Sequence, residues 1–224
     1  MPKLFILLVL MPTTLTFAEP THNDTQVKAW LSNDSDDLPS EHVNFGKLKF
    51  LKKPPKQKVH HHHNTLFVAK ESMDTGWIKL LQCHANLDHF PRAQIVYRHN
   101  PIKNLKITHV KNIQKAWIEK NTVQLLNVKN NARLCVEFDS KALHKNKDGS
   151  YTISNGPFMR RFLDGYYPMR VSLDVKLPKQ LRFVSISPNQ QNGFRVKQTS
   201  TGVHFDAWFE GKLYTTIKLM PVKP

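Results

Sequence analysis

Over most of its length the chain alternates short apolar runs with turn residues, which is the pattern of successive β-strands. The two-residue period is clearest where Val171, Leu173 and Val175 alternate with Ser172 and Asp174. Side chains two residues apart in a strand point to the same face. This segment therefore predicts a strand with one face in a core and the other towards water.

The predicted strands are short and closely spaced. Four of them follow one another at Leu105–Val110, Ala116–Glu119, Thr122–Leu126 and Arg133–Phe138. Turn signals every eight to twelve residues or so are typical of an antiparallel β-sandwich. We therefore predict an all-β fold, with residues 59–140 and 141–224 as two halves of one sandwich or as two sandwich domains.

Residues 123–138 have the pattern Val-x-Leu-x-x-Val-Lys-Asn-Asn-Ala-Arg-Leu-Cys-Val-x-Phe. This segment resembles the strand–turn–strand crossing of fibronectin type III and immunoglobulin-like sandwiches. The resemblance implies a sandwich and implies no function.

One short helix is predicted near 157–163. Pro157 suits the first turn of a helix, and Phe158 and Phe162 lie four residues apart, as on one helical face. The following Asp164-Gly165 would end it. We expect this helix to close one end of the sandwich.

The first eighteen residues have the parts of a secretory signal peptide. Lys3 supplies a positive start, Leu4–Leu10 is an unbroken apolar run, and Thr16-Phe17-Ala18 places small residues at the two positions that a signal peptidase reads. A run of about 7 residues is far shorter than the roughly 20 that span a bilayer as a helix. We expect cleavage after Ala18 and export to the periplasm or the exterior.

Residues 19–58 are predicted to be a disordered arm whose charge changes sign along its length. Residues 19–45 are polar and acidic, whereas residues 47–58 contain six lysines and the pair Pro54-Pro55. Low hydrophobicity works against a packed core, and proline works against a continuous helix.

The whole chain carries a net charge of +16, from 33 basic and 17 acidic residues. Removal of the leader would take away only Lys3. Such an excess favours encounters with anionic surfaces such as lipid headgroups, lipopolysaccharide or acidic polymers. Export makes a nucleic-acid partner a poor expectation, and no segment after the leader predicts an integral membrane helix.

Two cysteines, Cys83 and Cys135, are the whole cysteine complement. In an oxidising compartment an even pair predicts one disulfide. The alternative is that Cys83 contributes to a metal site.

Four consecutive histidines, His60, His61, His62 and His63, form the strongest candidate metal ligands, with His84 as a further one. Neutral imidazole binds copper and zinc. Because the run follows the proline-containing basic segment, we expect it in a flexible linker. No cofactor is otherwise predicted, and no compact metal motif is present.

The densest group of aromatic and arginine residues lies between Gly156 and Arg170. Arginine offers a planar fork for phosphate, sulfate or carboxylate, and tyrosine offers a ring for stacking. The candidate ligand-binding residues are Arg160, Arg161, Tyr166, Tyr167 and Arg170. The alternative is that the aromatic residues pack in the core and the arginines form internal ion pairs.

The sequence contains no nucleophile elbow, phosphate-binding loop or dinucleotide fingerprint, so it gives no catalytic signature. The leading hypothesis is an exported, non-catalytic binding or assembly protein of the bacterial envelope that engages an anionic ligand or a partner protein. The alternative is a periplasmic copper- or zinc-handling protein that uses His60 to His63.

Overall fold

Strands account for nearly all of the regular structure, which confirms the predicted all-β fold. The computed structural model describes residues 44–97 and 100–222. The predicted signal peptide and residues 19–43 of the predicted arm lie outside the described residues. The elements are β1 (Lys49–Phe50), β2 (His61–Phe67), α1 (Ser72–Thr75), β3 (Ile78–Leu87), β4 (Phe90–Val96), β5 (Ile102–Glu119), β6 (Thr122–Ser140), β7 (Leu143–Lys145), β8 (Tyr151–Phe158), β9 (Arg161–Phe162), β10 (Gly165–Tyr166), β11 (Met169–Lys176), β12 (Leu181–Ser187), β13 (Phe194–Thr199), β14 (Gly202–Glu210) and β15 (Leu213–Pro221).

The strands form a nine-stranded sheet, a four-stranded sheet and a two-stranded ribbon. The large sheet has the order β1-β14-β11-β2-β3-β6-β4, with β13 added to β14 and β5 added to β6. The smaller sheet has the order β12-β15-β8-β7, and the ribbon joins β9 to β10. The pairing of β2 with β11 is parallel, whereas the other strand pairs of the described residues are antiparallel.

One buried cluster joins the apolar faces of the two larger sheets, as expected of a sandwich. The large sheet contributes Leu66, Leu134 and Phe205, and the small sheet contributes Ile153 and Ile217, all of them fully buried. The predicted period of β11 is confirmed on its core face, where Val171, Leu173 and Val175 are buried.

Two pairs of predicted strands are in fact two long strands. Residues 105–119 belong to β5 and residues 122–138 belong to β6, and these two strands pair along their lengths as a hairpin. Four asparagines within these two strands, Asn104, Asn112, Asn127 and Asn131, have positive φ. The register between β5 and β6 shifts around Asn104 and again at Asn112, so bulges interrupt the ladder at these two places without ending either strand.

The segment that resembles a strand–turn–strand crossing lies entirely within β6, so the turn it implies is absent. Asn127 and Asn131 have positive φ, but the strand continues through both of them. The sandwich architecture that the resemblance implies is present, but this segment is not its crossing.

The predicted helix at 157–163 is wrong. Pro157 and Phe158 end strand β8, where Phe158 pairs with Leu213 and is buried. Phe162 lies in the β9–β10 ribbon and stacks on Phe90. The two phenylalanines pack in different places, so their four-residue spacing does not report a helical face.

The helix found among the described residues is α1, which has only four residues and is far too short to cross a membrane. Residues 44–58 are the described part of the predicted arm, and a short part of them pairs with the large sheet. There Lys49 and Phe50 pair with β14, and Phe50 stacks on Phe194.

The predicted disulfide is confirmed. Cys83 in β3 lies directly opposite Cys135 in β6, with a Cα–Cα distance of 4.1 Å. It ties together two central strands of the large sheet, and disulfides persist in oxidising compartments.

Candidate binding sites: a histidine-lined cavity and a basic hairpin face

The histidine run lies in a central strand of the large sheet, so its expected position in a flexible linker is wrong. His61, His62 and His63 open strand β2, which lies between β11 and β3, and His60 precedes it. Successive side chains of a strand point to opposite faces. The run is therefore divided, with His60 and His62 towards the core and His61 and His63 on the outer face.

On the core face, His60 and His62 join three polar residues in a patch that we call the core-face polar patch. Its members are His60, His62 and Asn64 from β2 and its start, with Gln82 and His84 from β3. The neighbouring strands place apolar residues on both sides of the patch, because Val171 lies opposite His62 and Leu134 lies opposite His84. A polar group buried in this way costs free energy unless it has hydrogen-bond partners.

Most of the polar atoms in the patch bond to one another. Tyr97 donates its hydroxyl to Gln82 Oε1 over 2.7 Å. His84 Nε2 donates to the same oxygen over 3.3 Å, so the neutral His84 ring accepts at Nδ1. His60 Nε2 donates to that Nδ1 over 3.0 Å.

The last hydrogen bonds of the patch compete for one atom. His62 Nε2 lies 2.8 Å from Asn64 Oδ1 and 3.0 Å from Gln82 Nε2. A ring nitrogen either donates or accepts, so it satisfies the asparagine oxygen or the glutamine amide but not both. One of these two groups is therefore left without its partner inside the patch.

Burial keeps the core-face imidazoles neutral. It lowers the pKa of His60 to about 4 and the pKa of His62 to about 3, in the second case helped by the neighbouring His60. Burial, with His62 and His60 beside it, also holds the pKa of His84 well below its ordinary value.

A cavity of about 680 Å³ opens onto this patch. The end of β8 forms its far wall through Asn155, Pro157 and Phe158, and Phe158 meets His62 edge to face at 5.0 Å between ring centroids. The rest of the lining is mainly apolar and includes Leu80, Ile95, Ile102, Phe138 and Met169. No residue of the lining is Lys, Arg, Asp or Glu.

The five predicted metal ligands do not converge on one point. His60, His62 and His84 lie together, whereas His61 and His63 are on the opposite face of the sheet. Within residues 44–97 and 100–222 no group of three His, Cys, Asp or Glu side chains is arranged to hold a metal ion. Cys83 is in the disulfide and does not offer a thiolate.

On the outer face, the other two histidines hydrogen-bond to strand β11. His61 Nε2 lies 2.7 Å from Ser172 Oγ, and burial beside Arg170 lowers the pKa of His61 to about 4. His63 and His204 each lie 2.9 Å from a different oxygen of Asp174. Burial alone would raise the pKa of Asp174, but these two hydrogen bonds outweigh it and hold the pKa below its ordinary value.

Arg170 belongs to the same outer face and is already paired. Asp206 accepts hydrogen bonds from Arg170 at 2.8 Å and from Arg195 at 3.1 Å. Burial would raise the pKa of Asp206, but the two arginines outweigh it and hold the pKa low.

The other four residues of the predicted arginine–tyrosine site lie around the β9–β10 ribbon. Arg160 makes a two-pronged ion pair with Asp88, at 2.6 and 2.9 Å, and stacks on Tyr167. Arg161 lies over the ring of Tyr166, which is nearly buried. Both Arg160 and Arg170 therefore hold a carboxylate of the chain itself, and Arg170 contacts Trp208 away from the ribbon.

The long hairpin carries a second candidate site, which we call the basic hairpin face. It consists of four exposed side chains on the outer side of β4, β5 and β6: Arg92, Lys111, Lys115 and Arg133. Lys111 lies directly opposite Arg133, and both Arg92 and Lys115 lie opposite Leu126. Within the described part of the chain none of the four forms an ion pair.

Like charges placed opposite each other across two strands are destabilising. The Lys111–Arg133 pair is therefore a position where an approaching anion would relieve repulsion. Trp117, on the same side of β5, is 38% exposed, and Lys115 Nζ lies 5.2 Å from the centre of its ring. The face thus combines a positive cluster with an exposed aromatic ring.

Sequence reasoning named the three histidines of the cavity, as metal ligands, but predicted neither the cavity nor the basic hairpin face. The cavity depends on which residues β2 and β3 bring side by side, and the local sequence gives only the alternation within each strand. The basic hairpin face combines residues from three strands, of which Arg92 and Arg133 are 41 positions apart. The net charge was a signal for a basic surface but did not locate it.

No family model matches the chain, and no curated protein matches it. Among solved structures it is similar to an M1 zinc metallopeptidase mutant from Deinococcus radiodurans bound to a Tyr-Ser-Ala substrate, with 12% identity and a TM-score of 0.40. It is also similar to a two-domain M1 zinc metallopeptidase mutant bound to L-tryptophan, with 11% identity and a TM-score of 0.38.

These likenesses cover 80% and 81% of this chain but only 44% of each of the other two. The chain therefore spans less than half the length of either enzyme. Similarity at this level carries no argument about activity.

Proposed function

We propose that the protein is an exported, non-catalytic binding protein of the bacterial envelope that attaches to an anionic surface through the basic hairpin face. The observation that carries the proposal is the exposed cluster of Arg92, Lys111, Lys115 and Arg133 beside Trp117. The absence of any catalytic signature in the sequence and the predicted leader agree with it.

The chemistry of the cluster suits a lipid headgroup or lipopolysaccharide surface. Each Lys or Arg near an anionic membrane contributes about 1 kcal/mol of attraction. Tryptophan is favoured at membrane interfaces because its ring is apolar and its N–H is polar. Arg160 and Arg170, which the sequence offered for the same purpose, are less suited because Asp88 and Asp206 already neutralise them.

The test is co-sedimentation of the mature protein with vesicles of phosphatidylglycerol and phosphatidylcholine at low salt. A variant that changes Arg92, Lys111, Lys115 and Arg133 to Gln should bind on the order of 1,000-fold more weakly, because four charges at about 1 kcal/mol each are removed. Wild-type binding should weaken as salt is raised, since salt screens exposed charges.

The matched control removes the same charge from the polybasic segment, by changing Lys49, Lys52, Lys53 and Lys56 to Gln. All four side chains are exposed. The control should keep most of the affinity. Equal losses in the two variants would mean that net charge, and not the hairpin face, drives binding, and the proposal would then be abandoned.

A copper- or zinc-handling function remains the second candidate, and one observation favours it. His60 Nε2 and His84 Nδ1 lie 3.0 Å apart, close to the separation of two nitrogens bound at about 2.0 Å to one ion. Calorimetric titration of the wild type with Zn²⁺ and Cu²⁺ tests this function, with His60→Gln and His84→Gln compared against His61→Gln and His63→Gln. Tight stoichiometric binding that only the first pair abolishes supports it, and weak binding lost equally in all variants excludes it.

A further inference from the structure

The lining of the cavity is chemically unlike the basic hairpin face. We infer that the cavity takes a small uncharged molecule with an apolar body and a carboxamide group, which the core-face polar patch recognises. This inference does not rest on the proposed surface attachment, because the two sites lie on opposite faces of the large sheet.

The volume and the lining fit a small-molecule site. Such sites usually occupy about 300–1,000 Å³ and combine apolar walls with a few polar groups, and this cavity measures about 680 Å³. The walls come from Leu80, Ile95, Ile102, Phe138 and Phe158. These side chains would bury an alkyl or aromatic body of the ligand.

The absence of charged residues from the lining determines the charge of the ligand. With no Lys, Arg, Asp or Glu in the lining, a carboxylate or ammonium group would lose its hydration and gain no ion pair. Burying an unpaired charge costs much more than burying a neutral polar group that forms hydrogen bonds. The buried, neutral imidazoles can hydrogen-bond to a ligand, but they carry no charge that would pair with a charged one.

The hydrogen-bonding groups that the cavity leaves unsatisfied determine the polar group of the ligand. The competition at His62 Nε2 leaves either the Asn64 oxygen, an acceptor, or the Gln82 amide, a donor, without a partner in the patch. Asn155 also lines the cavity, and its buried Nδ2 has no hydrogen-bond partner among the described residues. A carboxamide both donates and accepts, so it can satisfy the Asn155 donor and whichever group His62 leaves over.

The experiment is calorimetric titration of the mature protein at pH 7.5 with three probes of equal chain length: octanamide, octanoate and octylammonium. The wild type should bind octanamide at least tenfold more tightly than either charged probe. Equal or tighter binding of octanoate, or no octanamide binding up to millimolar concentration, would overturn the inference.

Two variants locate the site. Ile95→Trp fills the cavity and should weaken octanamide binding at least tenfold. Its matched control is Ile113→Trp, at a half-buried isoleucine that packs on the core outside the cavity lining, and this variant should bind like the wild type. Unchanged octanamide binding in Ile95→Trp would place the ligand elsewhere and contradict the inference.

A third variant keeps the test decisive if Ile95→Trp does not fold. Gln82→Leu preserves volume and removes the amide from the patch, so octanamide affinity should fall about tenfold while the folded circular dichroism spectrum is kept. If Gln82→Leu kept the wild-type preference for octanamide over octanoate, the patch would not be the group that recognises the amide of the ligand. Vesicle binding should not change in any of these variants, which separates this site from the proposed surface attachment.

Discussion

Buried neutral histidines are the residues whose chemistry departs most from that in water. His60 and His62 have pKa values lowered to about 4 and about 3 by burial, against about 6.5 in an unfolded chain. As pH falls, the unfolded chain therefore binds protons first. The stability that these two groups contribute is fully present above about pH 7 and is lost progressively between about pH 6.5 and pH 3.

This shift gives a pH prediction that chemical denaturation can check. Between pH 7.5 and pH 5, a histidine with a folded pKa of about 4 should remove about 2 kcal/mol from the free energy of unfolding. Urea midpoints at the two pH values should show the loss, and His60→Gln should reduce it. An equally steep dependence in the variant would mean that other groups cause it.

Asp206 should be the most costly carboxylate to remove. It is 5% exposed and accepts hydrogen bonds from both Arg170 and Arg195. Asp206→Asn should lower the free energy of unfolding by about 2 kcal/mol, because it removes charge-assisted hydrogen bonds from two arginines. Exposed Asp74 is the control, and Asp74→Asn should stay within about 0.5 kcal/mol of the wild type.

At the residue scale, the sequence was informative where one property sufficed. Two cysteines in a chain with a predicted leader were enough to predict the Cys83–Cys135 disulfide, which the structure confirms. The prediction that the histidine run lies in a flexible linker is wrong because four consecutive polar residues show no alternation of apolar and polar positions, which is the local sign of a strand. Its place in a central strand depends on partners as distant as Ser172 and Asp174.

At the element scale, the asparagine bulges explain how β5 and β6 remain continuous. Asn112 has a φ of +58°, in the left-handed region that asparagine and glycine tolerate and β-branched residues do not. Asn112→Val should lower the free energy of unfolding by about 1–3 kcal/mol, whereas Asn112→Gly should be close to neutral. Urea unfolding of both variants checks this, and equal losses would show that the asparagine side chain, and not the backbone conformation, matters.

The disulfide should stabilise the pairing of β3 with β6. Its partners are separated by 52 residues, and the chain-entropy model gives about 4 kcal/mol for a loop of this size. The double variant Cys83→Ser, Cys135→Ser should therefore lose up to about 4 kcal/mol from its free energy of unfolding, seen as a lower urea midpoint. The reduced wild type, which keeps both cysteine side chains but lacks the bond, is the control for the substitutions, and unchanged unfolding in the double variant would contradict the prediction.

The elements show where local patterns mislead. Polar runs around Asn112 and Asn127–Asn131 resemble turns, yet they lie at bulges, because β5 and β6 pair on both sides of them and the strands tolerate a local left-handed residue there. Pro157 resembles a helix start but ends a strand. In each case pairing with a distant strand overrides the local preference.

At the scale of the whole molecule, the fold class followed from the sequence but the topology did not. Alternating strands predicted an all-β sandwich. The order of the large sheet depends on long-range contacts. So does the parallel pairing of β2 with β11, whose paired residues are more than 100 positions apart in the sequence. Contacts between strands distant in the sequence also form the cavity and bring together the residues of the basic hairpin face, so neither site could be predicted from local sequence.

The net charge of +16 is likewise a property of the whole chain, and its effect on binding depends on where the charged residues lie on the surface.

In the proposed function the outer side of the β5–β6 hairpin contacts an anionic surface. Trp117 can report this contact by fluorescence because it lies beside Lys115. The most direct measurement uses a variant with Trp30, Trp77 and Trp208 changed to Phe, so that Trp117 alone fluoresces, titrated with phosphatidylglycerol vesicles at low salt. A blue shift of its emission, absent with phosphatidylcholine vesicles, is the expected result, whereas unchanged Trp117 emission while the protein co-sediments with the anionic vesicles would show that another face makes the contact.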